Sequence, residues 1–476
     1  MLRGFCTNLG VFIWGFCIFL LDFLWGFCII LGMETFKRKI WDKFKAWKEE
    51  SDGHTALLVE GARRIGKSTA VEEFAKREYE TYILIDFAFA SQNIKNLFND
   101  LSDLNSFFRL LQYYTGKELK ERKSLIIFDE VQLFPLARQA IKLLVKDHRY
   151  DYLETGSLLS IKENVKDILI PSEERPIQMY PMDYEEFCWA IGQTNTYEIG
   201  RTIWQEKKSL GDDVNRDLMR KFRLYMIVGG MPQAVEAFLT TNNFTQVDLV
   251  KRDILKLYEN DFMKFDSTGR ASLLFDHIPA ELQKNASRYQ VSSVIENARA
   301  GTMLERIAKL QDSKTVNVAY HANALEAGLS QNIDLEKFKL FVCDTGLFVT
   351  LCFKDKDFTE NIIYEKLLSD KLPANLGYVY ENVIAQMLAA KGDELYYHTF
   401  PSETSNHNYE IDFVISRKNK ICPIEAKAAD YHKHKSLDIF TEKFSKHIGS
   451  RFLVYTKEYR KDTDIFCIPM YLVPFI

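Results

Sequence analysis

Residues 56–78 read ALLVEGARRIGKSTAVEEFAKRE, and this stretch constrains the fold more than any other. The apolar run from Ala56 to Val59 suits a buried strand. Gly61 to Ser68 then spell G-x-x-x-x-G-K-S, and Ala70, Val71, Phe74 and Ala75 recur at helical spacing. Strand, glycine-rich loop and helix in that order make a phosphate-binding loop. Two glycines let backbone N–H groups curl around phosphate oxygens, and the following helix points its positive end at the same place. Lys67 can reach the β- and γ-phosphates, and the Ser68 hydroxyl can ligate Mg²⁺. The candidate nucleotide contacts are therefore Gly61, Ala62, Arg63, Arg64, Ile65, Gly66, Lys67, Ser68 and Thr69. The competing reading is a glycine-rich turn with a solvated lysine.

A nucleotide site also needs an apolar strand that ends in acid. SLIIFDEVQLFP supplies it, with no polar residue from Leu125 to Phe128, as a central parallel strand requires. Asp129 stands where it can hold Mg²⁺. Glu130 is placed to orient or deprotonate an attacking water. ATP and Mg²⁺ are the expected cofactors, and ATP hydrolysis the expected reaction. Residues 81–88, 151–159 and 175–187 are the further strands of a doubly wound α/β sheet. Ser157 reads either as a γ-phosphate sensor or as a polar turn residue. Arg175 reads as a trans-acting arginine or as a plain surface charge.

The chain has 476 residues, which suggests about three domains. Net charge is -4, so any nucleic-acid contact must come from a local patch. Of the eight cysteines, Cys188, Cys343, Cys352, Cys422 and Cys467 are scattered with no CxxC pair. That pattern argues against a zinc knuckle or a disulfide scaffold and fits a reducing cytoplasmic setting.

The segments GARRIGKST, IIFDEVQ, ETGS, MYPMDYEEF and VGGMPQAV occur in this order. Together they resemble the prokaryotic AAA-type ATPases related to the STAND and archaeal ATPase group. The resemblance implies a P-loop AAA-type parallel-sheet domain over residues 33–204, a helical lid over 205–272 and a winged helix over 273–345. It also implies that Gly230 and Pro232 lie near the base or ribose, and that homo-oligomers can form. One departure is visible: relatives often carry a Gly-Arg pair before the fifth strand, where this chain has IPSEERPIQM.

In the lid, Ile254, Leu257, Tyr258 and Phe262 share one helical face and read as core. Residues 289–323 read helix, turn, helix, strand. Arg299, Arg306 and Lys309 on this element are candidates for DNA phosphates, although Glu296, Glu305 and Asp312 dilute the charge.

The last segment, 346–476, carries a second chemical centre. A helix and a strand, residues 378–400, precede the hairpin YEIDFVISRKNKICPIEAKA. Alternate residues on a strand share a face, so Glu425 and Lys427 stand side by side and Asp412 can approach from the paired strand. This D…E-x-K layout resembles the PD-(D/E)XK phosphodiesterases and implies an α/β restriction-endonuclease-like fold. Asp412 and Glu425 would hold Mg²⁺, joined by Glu381 as the extra acidic residue, and Lys427 would stabilise charge on the scissile phosphate. DYHKHK at 430–435 is either a phosphate-contacting patch or a solvated loop. Two overall readings stand: an ATPase switch that controls a nuclease acting on DNA, or a regulatory ATPase whose nuclease-like domain is an inactive binding platform.

Residues 4–36 hold three copies of an eleven-residue unit that begins Gly-Phe-Cys. One reading makes residues 1–32 an upstream extension, with the working protein starting at Met33. The other makes Val11 to Leu31 a membrane span. Its apolar residues would outweigh the ~3 kcal/mol cost of Asp22 at mid-span, and Lys37, Arg38, Lys39 and Lys43 would hold the ATPase on the cytoplasmic side.

Overall fold

The computed structural model describes residues 35–156, 171–284, 286–325, 328–355, 361–369, 377–402, 408–427 and 434–476. The expectations placed on residues 1–32, on Ser157 and on most of residues 430–435 lie outside the described residues. Among the described residues, no helix is long and apolar enough to cross a membrane.

The amphipathic helix α1 (Ile40–Ser51) opens the described chain and buries Trp41, Phe44 and Trp47. Phe44 packs edge-on to Phe74 of α2 (Lys67–Glu78), with ring centroids 5.2 Å apart. Behind them lies a parallel sheet of β1 (Ala56–Glu60), β2 (Thr81–Asp86), β3 (Ser124–Asp129), β4 (Asp151–Gly156) and β5 (Glu174–Gln178), in the order β2-β3-β4-β1-β5. Every residue of β3 is buried, which is why that strand shows no polar alternation. The order matters for chemistry. β4 lies between the strand that feeds the phosphate loop and the strand that ends in Asp129, so the carboxyl ends of all three meet at one edge.

The sequence suggested a fifth strand over 175–187, and the structure corrects it. The strand ends at Gln178, and α3 (Tyr184–Ala190) begins soon after. Asp183 accepts the Glu186 amide while the Glu186 side chain accepts the Asp183 amide. This reciprocal cap starts a helix where the apolar pattern alone suggested a strand.

After a helix over Thr194–Glu206 come α4 (Asp212–Val228), α5 (Pro232–Thr241) and α6 (Phe244–Phe265). In α6 the buried face is Ile254, Leu255, Tyr258 and Phe262, with Leu255 where Leu257 was expected. The segment that reads as a winged helix forms the short helix Val291–Val294, then α7 (Ala300–Asp312) and the antiparallel pair β6 (Val316–Ala322) and β7 (Ile333–Val342). β6 also pairs in parallel with β8 (Leu395–Pro401). The hairpin is therefore one end of a mixed sheet with β9 (Asn408–Arg417), β10 (Lys420–Ala426), β11 (Arg451–Tyr455), β12 (Arg460–Asp462) and β13 (Ile465–Pro469), in the order β12-β13-β11-β10-β9-β8-β6-β7. Between β7 and β8 lie α8 (Thr345–Leu351) and α9 (Gly377–Ala390). The β9–β10 turn uses Lys418 and Asn419 at φ 47° and 61°, the left-handed pair that matches strand twist in a tight hairpin.

Candidate functional site

The phosphate loop is built as its sequence predicts. Gly66 sits at φ 89°, a conformation that favours glycine. No side chain caps the first amides of α2, so they suit an anion. The Lys67 ammonium is buried and donates to the carbonyls of Gly61 at 3.0 Å and Ala62 at 2.9 Å. Burial pushes its pKa down, against the pull of the Glu130 and Asp129 carboxylates. Arg63 and Arg64 are exposed and line the same cavity as Lys67 and Ser68, Thr69 is exposed on α2, and Ile65 is buried.

Asp129 is the hub of the opposite wall. Its Oδ1 accepts from the Ser68 hydroxyl at 2.9 Å and from the Thr155 hydroxyl. Glu130 follows at φ 53°, a costly conformation for a non-glycine residue and one that gathers at functional positions. Its carboxylate accepts from the Gln132 amide. Thr155 and Gln132 were not singled out from the sequence. Gln132 was legible in DEVQ, whereas Thr155 depends on β4 lying between β1 and β3.

Helix α6, in the segment expected to be a lid, lies over the site. The Tyr258 hydroxyl donates to the Arg63 carbonyl at 3.0 Å, and Arg63 pairs with Asp261 at 3.2 Å. A cavity of about 780 Å³ is left between Lys67, Ser68, Asp129, Glu130 and the α6 residues Tyr258 and Asp261, which is in the range of nucleotide and cofactor sites. Below the loop, Arg38 is buried and donates to Ile65 O at 2.8 Å and Tyr180 O at 2.7 Å. It holds the loop's underside to the segment after β5, a role no motif announced.

The two lid residues expected near the base part company. Pro232 abuts the loop, its Cγ 3.4 Å from where a Cβ on Gly66 would stand. Gly230 faces inward instead. Its carbonyl accepts from Met182 N at 2.7 Å and its amide donates to Asp344 at 2.6 Å. A Cβ there would lie 2.0 Å from the Met182 carbonyl oxygen. Close packing, rather than an opening toward nucleotide, explains this glycine.

The loop, the Ser68–Asp129 pair and the uncapped helix end fit ATP with Mg²⁺. Residues 53–188 match the family described as the AAA domain. This segment is an AAA-type P-loop ATPase domain. Beyond the AAA domain, residues 219–357 and 376–473 match two families each described as a domain of unknown function. Among solved structures, the Walker-type ATPase PABY2304 of Pyrococcus abyssi is 14% identical, with 67% of this chain and 97% of that chain covered at a TM-score of 0.39. The RuvB Holliday junction branch migration motor of Thermotoga maritima is 11% identical, with 59% and 89% covered at a TM-score of 0.27. No curated protein matches the chain.

At the second centre, β9 and β10 bring Asp412, Glu425 and Lys427 together. Phe413 pairs with Ile424, which sets Asp412 opposite Glu425. Asp412 Oδ2 accepts the Ala426 amide at 2.7 Å, and Lys427 bridges to Glu425 at 2.8 Å. Glu425 Oε2 is buried and has no hydrogen-bond donor. Burial pushes the Glu425 pKa up, with Lys427 opposing. An orphaned carboxylate oxygen beside a second carboxylate fits a cation.

Glu381, on α9, is otherwise engaged. It faces the ammonium of Lys339 on β7 at 3.7 Å, and the same ammonium bonds Glu410. Burial pushes the Glu381 pKa up to about 7 against the pull of Lys339. Among the described residues no three His, Cys, Asp or Glu side chains converge as a metal cluster. The expected three-acid ligand set is therefore not assembled, because one acid is held by a lysine. Glu410 was legible, being two residues before Asp412 and on the same strand face. Lys339 was not, since only the sheet order brings β7 to this end of β9.

The candidate DNA contacts are in part engaged within the chain. Arg306 pairs with Asp266 at 3.2 Å and Lys309 with Glu305 at 3.3 Å, while Arg299 is exposed. Arg175, on edge strand β5, pairs with Glu50 at the surface at 2.9 Å.

Proposed function

We propose that the chain is an ATP-hydrolysing switch whose lid passes the state of the nucleotide site to a C-terminal nuclease-like domain that acts on DNA. One observation carries this reading. The Tyr225 hydroxyl, on lid helix α4, donates to Met182 O at 3.0 Å and accepts from the Gln386 amide at 2.9 Å. Met182 belongs to the AAA domain and Gln386 to α9, the helix that carries Glu381. A single lid side chain therefore touches both ends.

In this reading Lys67 leaves its two carbonyls for phosphate, Ser68 and Asp129 hold Mg²⁺, and Glu130 accepts the proton of the attacking water. Mg²⁺ supplies charge neutralisation on the phosphates. In the C-terminal domain, Asp412 and Glu425 hold a divalent cation and Lys427, a third exposed at its side chain, meets the scissile phosphate. The test is cleavage of single-stranded, duplex and branched DNA with Mg²⁺ or Mn²⁺, with and without ATP. Cleavage that disappears in Asp412→Ala and falls by orders of magnitude in Lys427→Ala supports the nuclease. Cleavage unchanged in both variants removes the assignment.

The pairing of Glu381 with Lys339 favours a second reading, an inactive platform that binds but does not cut. DNA binding without cleavage by the purified protein, under all of these conditions, selects it.

A further inference from the structure

The C-terminal acid set contains two cations of its own, and they are not equivalent. Glu410 and Asp412 lie on one face of β9, Glu425 lies on neighbouring β10 opposite Asp412, and Lys427 follows just past the end of β10. Lys427 remains a third exposed, but the Lys339 side chain is only 7% exposed and its ammonium stands 5.6 Å from the centre of the Tyr397 ring. Lys339 cannot reach a substrate. It is fixed between Glu381 and Glu410.

The charges divide accordingly. Four carboxylates (Glu381, Glu410, Asp412, Glu425) share two ammonium groups (Lys339, Lys427). One oxygen is left unmatched: Glu425 is 3% exposed and its Oε2 alone among these acids is buried without a donor. Buried carboxylates without full compensation are costly: the fold has buried Lys339 with Glu381 and Glu410, and has given Glu425 only the partly exposed Lys427, which engages Oε1 and leaves Oε2 open to an exchangeable ion.

We infer that Lys339 is a built-in cation that takes the place of a second metal, so that this site binds one divalent ion, at Asp412 and Glu425, and never two. The inference rests on the nuclease-like reading of this site but not on its activity. It makes Lys339 a positioning residue that holds Glu381 and Glu410 away from the ion.

The experiment counts bound Mn²⁺ by the electron paramagnetic resonance signal of the free ion, using nucleotide-free full-length protein with Asp129→Asn to silence the phosphate-loop site. One Mn²⁺ is expected, lost in Asp412→Asn. Lys339→Met is expected to admit a second Mn²⁺, which Glu381→Gln in the same chain removes. Should Lys339→Met fail to fold, the Glu381→Gln/Glu410→Gln double variant decides, because it keeps Lys339 and should retain the single Mn²⁺ within about twofold in affinity. Two Mn²⁺ bound to the parent protein, an unchanged count in Lys339→Met, or loss of the ion in the double variant each overturns the inference. No Mn²⁺ sensitive to Asp412→Asn overturns it together with the metal-site reading beneath it.

Discussion

The amide of Gly230 donates to the carboxylate of Asp344 across 2.6 Å, and both residues are walled in by their neighbours. Asp344 is fully buried and also accepts the Leu347 amide at 2.9 Å, capping α8. On the other side of the turn, a Cβ on Gly229 would lie 2.9 Å from Gly346 Cα. The α4–α5 turn and the start of α8 are thus packed backbone against backbone. Because Met182 of the AAA domain donates to Gly230, and β7 runs directly into Asp344, this junction ties three parts of the chain at one point.

Gly230→Ala should therefore destabilise the whole chain. The added methyl would overlap the Met182 carbonyl, and overpacking of a rigid core costs about 1–3 kcal/mol. A thermal melt of the variant should show a Tm several degrees lower. A melt superimposable on the parent's would show that the junction is slack.

Lys67→Ala should weaken ATP binding by roughly 100-fold, since charge-assisted hydrogen bonds contribute about 1.5–3 kcal/mol each. Glu130→Gln should keep binding and slow hydrolysis by roughly 10²–10⁴-fold, because the carboxylate acts only when water attacks. Calorimetric titration with ATP and a phosphate-release assay separate the two effects. Normal turnover in Glu130→Gln would move the base elsewhere.

Tyr225→Phe removes one hydroxyl and takes its hydrogen bond from both Met182 O and Gln386 Nε2. Stability should fall by about 1–3 kcal/mol. If the lid couples the two ends, ATP turnover should persist while any effect of ATP on DNA binding or cleavage vanishes. An ATP effect that survives this variant argues for a different route.

Lys251 supplies a pH dependence. It is fully buried, donates to Ile227 O at 2.7 Å, and burial pushes its pKa down to about 8 against the pull of Asp248 and Asp344. Unfolding returns it to its ordinary value of 10.5. Between these values the unfolded chain binds more protons than the folded one, so stability should rise with pH. Relative to Lys251→Met, the parent should gain roughly 3 kcal/mol between pH 7.5 and 10.5. Urea unfolding of both proteins across that window provides the measurement, and parallel pH profiles would remove Lys251 as the cause.

What the sequence determined by itself is local. The apolar run before Gly61, the spacing from Gly61 to Ser68 and the helical period of Ala70, Val71, Phe74 and Ala75 specify strand, loop and helix with no help from distant residues, because each is set by backbone geometry over a few positions. The same holds for β3 ending in Asp129, and for the hairpin that sets Asp412 opposite Glu425. Tertiary structure alone decided what crosses between elements. Thr155 reaches Asp129 because β4 lies between β1 and β3. Gly230 turns inward because Met182 and Asp344 close on it, although its motif pointed toward the nucleotide. Lys339 holds Glu381 because β6 pairs with β8 and brings β7, some forty residues before α9, to the acids of β9. Strand order is chosen by the burial of whole faces, which no spacing of residues along one segment encodes.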